Sequence, residues 1–391
     1  MSHVATVTID NTKVSADLTD YVVYVNLADL PASFWDVVAN GGGDIRVFKD
    51  DDTTELAREV VSCDTATDTG ELHIKFSGTL SSSTDTDIHI YADGSSSEPA
   101  VTATYGRNNV WTGYEGVWHM QQDPRTGNQT DSTGNGYSLV PTGSMTSSDL
   151  VAGKLSGYGI DFDGVDDRMA TSAGLSTILG NPTSWGFSYW QYSTKTTSSI
   201  ALSNYNGGND ATYALYVETT NGDLYSEVRY SNASSVANPS TSINNEWAHV
   251  SVTSTKGAKH KLFLNGASPA ESASNLSSNT YVDGEPLKIG YANYPNGSTY
   301  IGYYEGVLDE IRAHITDRTV EWNSTDYNNQ NDTSTFYTAT AAGGGPTGTN
   351  MQINIGDTWK SVDGMQINIG DTWKTVAGVQ QNVGDVWKTV F

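Results

Sequence analysis

Chemistry in this 391-residue chain would have to come from its carboxylates. Glu305, Asp309 and Glu310 gather in one strand-like run, Glu305-Gly-Val-Leu-Asp-Glu-Ile-Arg312. On a strand with period two, Val307, Asp309, Ile311 and Ala313 share one face. That sets the Asp309 carboxylate among apolar neighbours, where it needs a partner or a metal. Arg312 or a backbone amide is the plainer partner. Retaining glycoside hydrolysis needs two carboxyls on one side, about 5–5.5 Å apart. Asp309 and Glu310 point to opposite faces, so no catalytic residue is assigned and an enzyme is not expected. A hydrolase is kept as a third reading, one that Glu310→Gln would abolish.

Two loops have the composition of a sugar site, in which aromatic platforms combine with a few placed hydrogen-bonding groups. They are Tyr205-Asn-Gly-Gly-Asn-Asp210 and Tyr291-Ala-Asn-Tyr-Pro-Asn-Gly-Ser-Thr-Tyr300. The candidate glycan contacts are Tyr205, Asn206, Asn209, Tyr294, Asn296 and Tyr300. The plainer reading is that Tyr and Asn suit strands and turns. Other chemistries lack support. Cys63 is a lone thiol in a strand-rich segment, expected buried and inert. His3, His73, His89, His119, His249, His260 and His314 show no paired ligand spacing. Trp118, Trp190 and Trp247 read as core.

Composition narrows the class. The net charge is −25 and the pI about 4.3. Such a field repels nucleic acid and anionic membranes. No long apolar run is present, so no membrane span is read. The amino terminus lacks a basic region followed by an apolar core, so a signal peptide is not expected. Surplus Asp fits a solvated, turn-rich surface, with cation-binding loops or adaptation to high salt as sharper readings.

The elements that must position these residues are strands. Leu72, Ile74 and Phe76 alternate on one face of a run, as do Ile88 and Ile90 of another. A short helix is expected over Pro31 to Val38. The pattern predicts an all-β chain. Residues 1–93 form an N-terminal β-sandwich, 94–111 a linker, 112–338 a larger sandwich and 339–350 a Gly-rich linker. Asn265-Gly266 predicts a hairpin turn in the larger sandwich.

Residues 351–391 are three 14-residue hairpin repeats, with Trp359, Trp373 and Trp387 in step. Ile355 is expected opposite Thr358. That register puts Ile353, Ile355, Ile367 and Ile369 on one face and the three Trp on the other. A meander this small cannot cover both faces. The tail is therefore read as an assembly module, with self-association expected, as in a trimeric fibre shaft.

Residues 112–338 resemble the laminin-G-like, concanavalin-A-like jelly-roll family. The resemblance rests on Gly116-Val-Trp-His-Met120, Asp131-Ser-Thr-Gly-Asn-Gly136, Ile160-Asp-Phe-Asp-Gly-Val-Asp-Asp167, Trp247-Ala-His-Val250 followed by Leu262-Phe-Leu-Asn-Gly266, and Gly306-Val-Leu-Asp-Glu-Ile-Arg312. It implies a jelly roll, and a structural Ca2+ at the sandwich rim. Asp131 and Asn135 on the matching loop, with Asp309, are the candidate metal ligands; a turn-capping Asp131 is the alternative. Residues 1–93 resemble an uncharacterised sandwich family found before such domains in secreted and virion proteins. The tail resembles repeats at the ends of viral structural proteins.

Together these readings predict a virion structural protein of a tailed virus of bacteria or archaea: a head decoration, turret or fibre component. It would be made in the host cytoplasm and displayed on the virion surface. The repeats would hold other virion proteins, and the jelly roll would meet host-surface glycans. The alternative is a non-viral cell-surface or secreted carbohydrate-binding adhesin.

Overall fold

Alternation sets the first layer. In the computed structural model, β1 (Ser2–Ile9), β2 (Leu18–Asn26), α1 (Ala32–Trp35), β3 (Arg46–Lys49), β4 (Glu55–Asp64), β5 (Thr69–Leu80) and β6 (Thr86–Ala92) follow in order. The structure describes residues 1–195, 197–205, 213–220, 222–230, 233–278, 284–293 and 300–342, and beyond these the strand backbones between 352 and 389. Leu72, Ile74, Phe76, Ile88 and Ile90 all enter one core with Tyr21, Val23 and Phe34. Pro31 caps α1, which is shorter than the helix expected there.

The next segment is not a free linker. Within 94–111, Glu98 pairs with the buried Arg58 at 2.6 Å. The Arg58 amide donates to the Tyr105 carbonyl, and α2 (Arg107–Val110) ends on the buried Val110 and Trp111. These two residues pack with Val22, Ala57, Tyr114 and Val117 in a small apolar seam between the layers.

The larger sandwich holds β7 (Tyr114–Trp118), β8 (Leu139–Thr142), β9 (Leu150–Ala152), β10 (Tyr158–Asp163), β11 (Arg168–Gly174), α3 (Leu175–Leu179), β12 (Ser184–Ser193), β13 (Ser199–Ser203), β14 (Tyr213–Thr220), β15 (Asp223–Tyr230), β16 (Ala233–Ala237), β17 (Trp247–Thr255), β18 (Lys259–Leu264), β19 (Ala270–Asn275), β20 (Pro286–Ile289), β21 (Ala292–Asn293), β22 (Tyr300–Ile301) and β23 (Glu305–His314). One sheet runs β19-β18-β17-β12-β23-β10-β9, with β7 also on β23; the other runs β16-β15-β14-β13-β20-β11-β8. Trp118, Phe162, Trp185, Phe187, Leu308 and Ile311 fill the space between them. Asn265 and Gly266 both take positive φ, as the turn reading requires.

The chain then returns to the first layer. Helix α4 (Val320–Asn331), α5 (Thr333–Phe336) and β24 (Tyr337–Ala341) follow. The first sheet runs β2-β5-β4-β3-β6-β1-β24, so its last strand comes from beyond the larger sandwich. Residues 339–341 are thus sheet, not linker. Helix α4 buries polar residues: Asn323, Thr325, Asp326, Asn329 and Gln330. The Asn329 amide pairs with edge strand β2, taking the Tyr24 N–H at 2.8 Å and donating to the Tyr24 carbonyl at 2.9 Å. Asn329→Ala should therefore cost about 2–4 kcal/mol, since each buried backbone group left unpaired costs about 1–3 kcal/mol. Denaturant titration reads this loss, and Asn329→Asp should not recover it, because a buried carboxylate would face the Tyr24 carbonyl oxygen.

Residues Met1–Ala341 form one unit and Ala342–Phe391 a second. The second contains hairpins β25 (Gln352–Ile355) with β26 (Thr358–Ser361), β27 (Gln366–Ile369) with β28 (Thr372–Thr375), and β29 (Gln380–Val383) with β30 (Val386–Thr389). Ile355 pairs with Thr358 as expected, and Ile353 with Lys360. Ile367 pairs with Lys374 and Ile369 with Thr372. Trp359, Trp373 and Trp387 pair with Asn354, Asn368 and Asn382. The turns between repeats and the side chains of this unit lie outside the described residues.

Candidate functional site

The expected cation ligands serve separate structural tasks. Asp131 is buried and accepts the Val117 and Tyr137 amides at 3.2 and 2.9 Å. It also takes the Thr133 amide and hydroxyl at 2.9 and 2.8 Å. It is the turn cap that pins the 131–137 loop to β7. The Asn135 amide donates to the Glu115 carbonyl. Asp309 holds a different loop, through the Lys154 and Leu155 amides at 2.8 and 3.2 Å. Its burial pushes the carboxyl well above the usual range, and its Oδ1 has no hydrogen-bond partner among the described residues.

A β-bulge overturns the expected strand parity. Across β12 and β23, Trp190 pairs with Asp309 and Ser188 with Arg312. Glu310 and Ile311 therefore stand opposite Tyr189 alone, and Glu310 takes a φ of 52°. Leu308, Ile311 and Ala313 reach the core. Asp309 is on the other face and does not share one with Ile311 and Ala313.

Of the glycan candidates, Tyr205 packs edge-on against Tyr216, with ring centroids 5.9 Å apart. Asn206, Asn209, Tyr294 and Asn296 lie outside the described residues. Tyr300 is described by backbone alone, paired with Asn293. Trp118 is core, but Trp190 is buried beneath α4, where its indole donates to Gln330 at 2.7 Å. Trp247 is half-buried. Cys63 is buried, and burial lifts its thiol to about 11, as an inert cysteine requires.

A buried group of ionisable side chains was not expected from the sequence. It is sealed between the two layers. Glu59 on β4, with Glu71 and His73 on β5, comes from the first layer; His119, Glu310 and Arg312 come from the jelly roll. His73 Nε2 lies 2.8 Å from Glu71 Oε1. His119 bonds Glu310 through Nδ1 and Glu59 through Nε2, the latter at 3.1 Å. The rings of His73 and His119 stack at 4.9 Å. Arg312 grips Glu310 Oε2 with Nε at 3.0 Å and Nη2 at 2.8 Å. Its Nη1 reaches Asp326 of α4 at 3.4 Å, and His249 Nε2 lies 3.4 Å from the same carboxylate.

Burial and charge pull these groups apart. Burial disfavours the charged form of His119, but Glu310 and Glu59 outweigh it and hold the imidazole protonated well above its usual range. Burial pushes Glu310 up, yet His119 and Arg312 together hold its carboxyl well below the usual range. Burial and the neighbouring Glu310 push Glu71 well above it. His73 is driven down to about 3, chiefly by burial, and its Nδ1 has no hydrogen-bond partner among the described residues.

The one sequence signal was the polar face of β5, where Glu71 and His73 alternate with Leu72 and Ile74. A solvated face has the same pattern. Beside the network, a cleft of about 500 Å3 opens between residues 16–20, 112–114 and 316–322. Arg318 covers the Trp322 ring at 3.7 Å there, and Asp17, Asp20 and Glu321 line the wall.

The sheet order and core agree with sequence comparison. Residues 163–322 match the Laminin_G_3 family, described as the concanavalin A-like lectin/glucanases superfamily. These residues are a concanavalin A-like jelly-roll domain. Among solved structures, the botulinum neurotoxin serotype C1 binding domain is similar at 12% identity and a TM-score of 0.44, over 56% of this chain and 52% of that one. The binding domain of botulinum neurotoxin DC in complex with rat synaptotagmin II is similar at 10% identity and a TM-score of 0.42, over 56% and 52%. The botulinum neurotoxin serotype D ligand binding domain in complex with N-acetylneuraminic acid is similar at 9% identity and a TM-score of 0.41, over 55% and 50%. The chain spans about half the length of these solved chains. No curated protein matches it.

Proposed function

We propose that this chain is a carbohydrate-binding structural protein of a virus particle, in which the jelly roll meets host-surface glycans and the carboxy-terminal hairpins hold the particle. The observation that favours binding over hydrolysis is the burial of Asp309 and Glu310. A family of lectins and glucanases can supply either function. A glucanase on this strand would need two carboxyls open to a sugar. Here both side chains are at most 1% exposed, and Glu310 is committed to His119 and Arg312. Three hairpins of identical register support an assembly role for the tail, with virion proteins or further copies of this chain as its partners. Calcium enters this reading as a structural ion of the jelly-roll loops.

The test is glycan-array and host-cell binding of the full chain, with calcium and with chelator, beside a variant lacking residues 346–391. The full chain should bind one glycan class and sediment as an oligomer. The truncated chain should sediment as a monomer and bind more weakly, through lost avidity. Loss of binding in chelator would add calcium to the site. Absence of binding in both conditions, or release of sugar from the bound glycan, would overturn the carbohydrate-binding reading. An unchanged assembly mass after truncation would overturn the role given to the tail.

A further inference from the structure

We propose that Glu71, His73, His119 and Glu310 bind a divalent transition-metal ion, zinc in preference, that ties the N-terminal sandwich to the jelly roll. The four donor atoms lie within 4.8 Å of one another, and all four residues are buried. His73 Nε2 is 2.8 Å from Glu71 Oε1 and 3.9 Å from Glu310 Oε1. His119 Nδ1 is 3.6 Å from Glu71 Oε1 and in contact with Glu310 Oε1. Tetrahedral coordination with bonds of about 2.0–2.1 Å sets donors about 3.3 Å apart. The observed separations bracket that value, so small side-chain shifts complete the shell. Two imidazoles with two carboxylates form a donor set suited to zinc, iron or manganese rather than to calcium.

The surroundings of three of the four ligands match those of a metal site, while His73 Nδ1 has no partner among the described residues. The far nitrogen of His119 meets the Glu59 carboxylate, the carboxylate–histidine–metal relay that fixes a ligand ring. Glu59 is itself held by the Trp111 indole and the Ser132 hydroxyl. The far oxygens of the two ligating carboxylates are also taken, Glu310 Oε2 by Arg312 and Glu71 Oε2 by Gln121 at 3.2 Å.

Two ligands come from β5, one follows β7 and one sits at the bulge of β23. The ion would therefore be loaded as the layers close, and the full chain should be unfolded and refolded for the test. Refolding with zinc or cobalt should trap one equivalent per chain and raise the thermal midpoint. Cobalt should show the visible absorption of a four-coordinate ion. His73→Gln should abolish that absorption, and Glu59→Gln should weaken binding by about 10–100-fold. His89→Gln should leave both unchanged; it alters the separate group of His3, Asp52 and His89 on the sandwich surface. A refolded chain with native circular dichroism and no bound cobalt would overturn the proposal. So would binding that survives His73→Gln and is lost in His89→Gln. If His73→Gln fails to fold, the stoichiometry and spectrum of the parent chain and of His89→Gln decide.

Discussion

Replacing Arg312 with Met should lower the unfolding free energy by about 3–5 kcal/mol, the usual cost of removing one partner from a buried ion pair. The guanidinium is 2% exposed and lies over the Trp111 ring, 5.1 Å from its centroid. It makes two hydrogen bonds to Glu310 and one to Asp326. Methionine would restore the packing volume but leave two buried carboxylates facing an apolar chain. Burial acts to raise both carboxyls, yet Glu310 is held well below its usual range and Asp326 down to about 2 by their partners, Arg312 among them. Arg312→Lys should fall between, because a point charge cannot span two carboxylates. Urea titration is the measurement: the midpoint should drop with little change in slope. A loss below about 1 kcal/mol, the range of solvated surface pairs, would show that water reaches the network and would refute the sealed interface.

Cutting the chain between its two sandwiches should abolish cooperative folding of both parts. A fragment of residues 1–93 lacks β24, which pairs with β1 from Ala5 to Ile9. It also lacks Phe336 and Tyr337, which belong to its core, and Asn329, which closes the β2 edge. Glu59, Glu71 and His73 would open to water together with Val22 and Ala57. The complementary fragment would expose Trp111, Val117 and Arg312. Amide exchange and near-ultraviolet circular dichroism should show disordered or aggregating material for each fragment alone, and recovery when both are refolded together. Independent, sharp melting of residues 112–338 would contradict this expectation.

Much of the fold was legible because period-two alternation is a local property. Leu72, Ile74 and Phe76 needed no knowledge of the rest of the chain to be placed in a core. The jelly roll was legible from short motifs in order, and the tail hairpins from their 14-residue repeat. Helix α4 was not legible. Its buried stripe is Asn, Thr, Asp, Asn and Gln, so apolar periodicity carries no sign of it. Its stabilisation comes from hydrogen bonds to Tyr24, Arg312 and Trp190, whose proximity no local pattern encodes. The face assigned to Asp309 failed for a related reason. One extra residue at Glu310 shifts every later side chain by one place, and a bulge leaves the residue types unchanged.

The sequence by itself determined an all-β chain, the strand faces of the first sandwich, the jelly-roll motifs and the repeat of the tail hairpins. Each depends on spacing within a few residues. Tertiary structure alone decided that the first and last strands of the larger unit share a sheet, and that polar strand faces meet one another instead of water. It also decided that His73 and His119 stack between carboxylates. His119 finds Glu59 across 60 residues and Glu310 across 191. A solvated polar face and a sealed one are written in the same residues, and only the packing of the second layer against the first tells them apart.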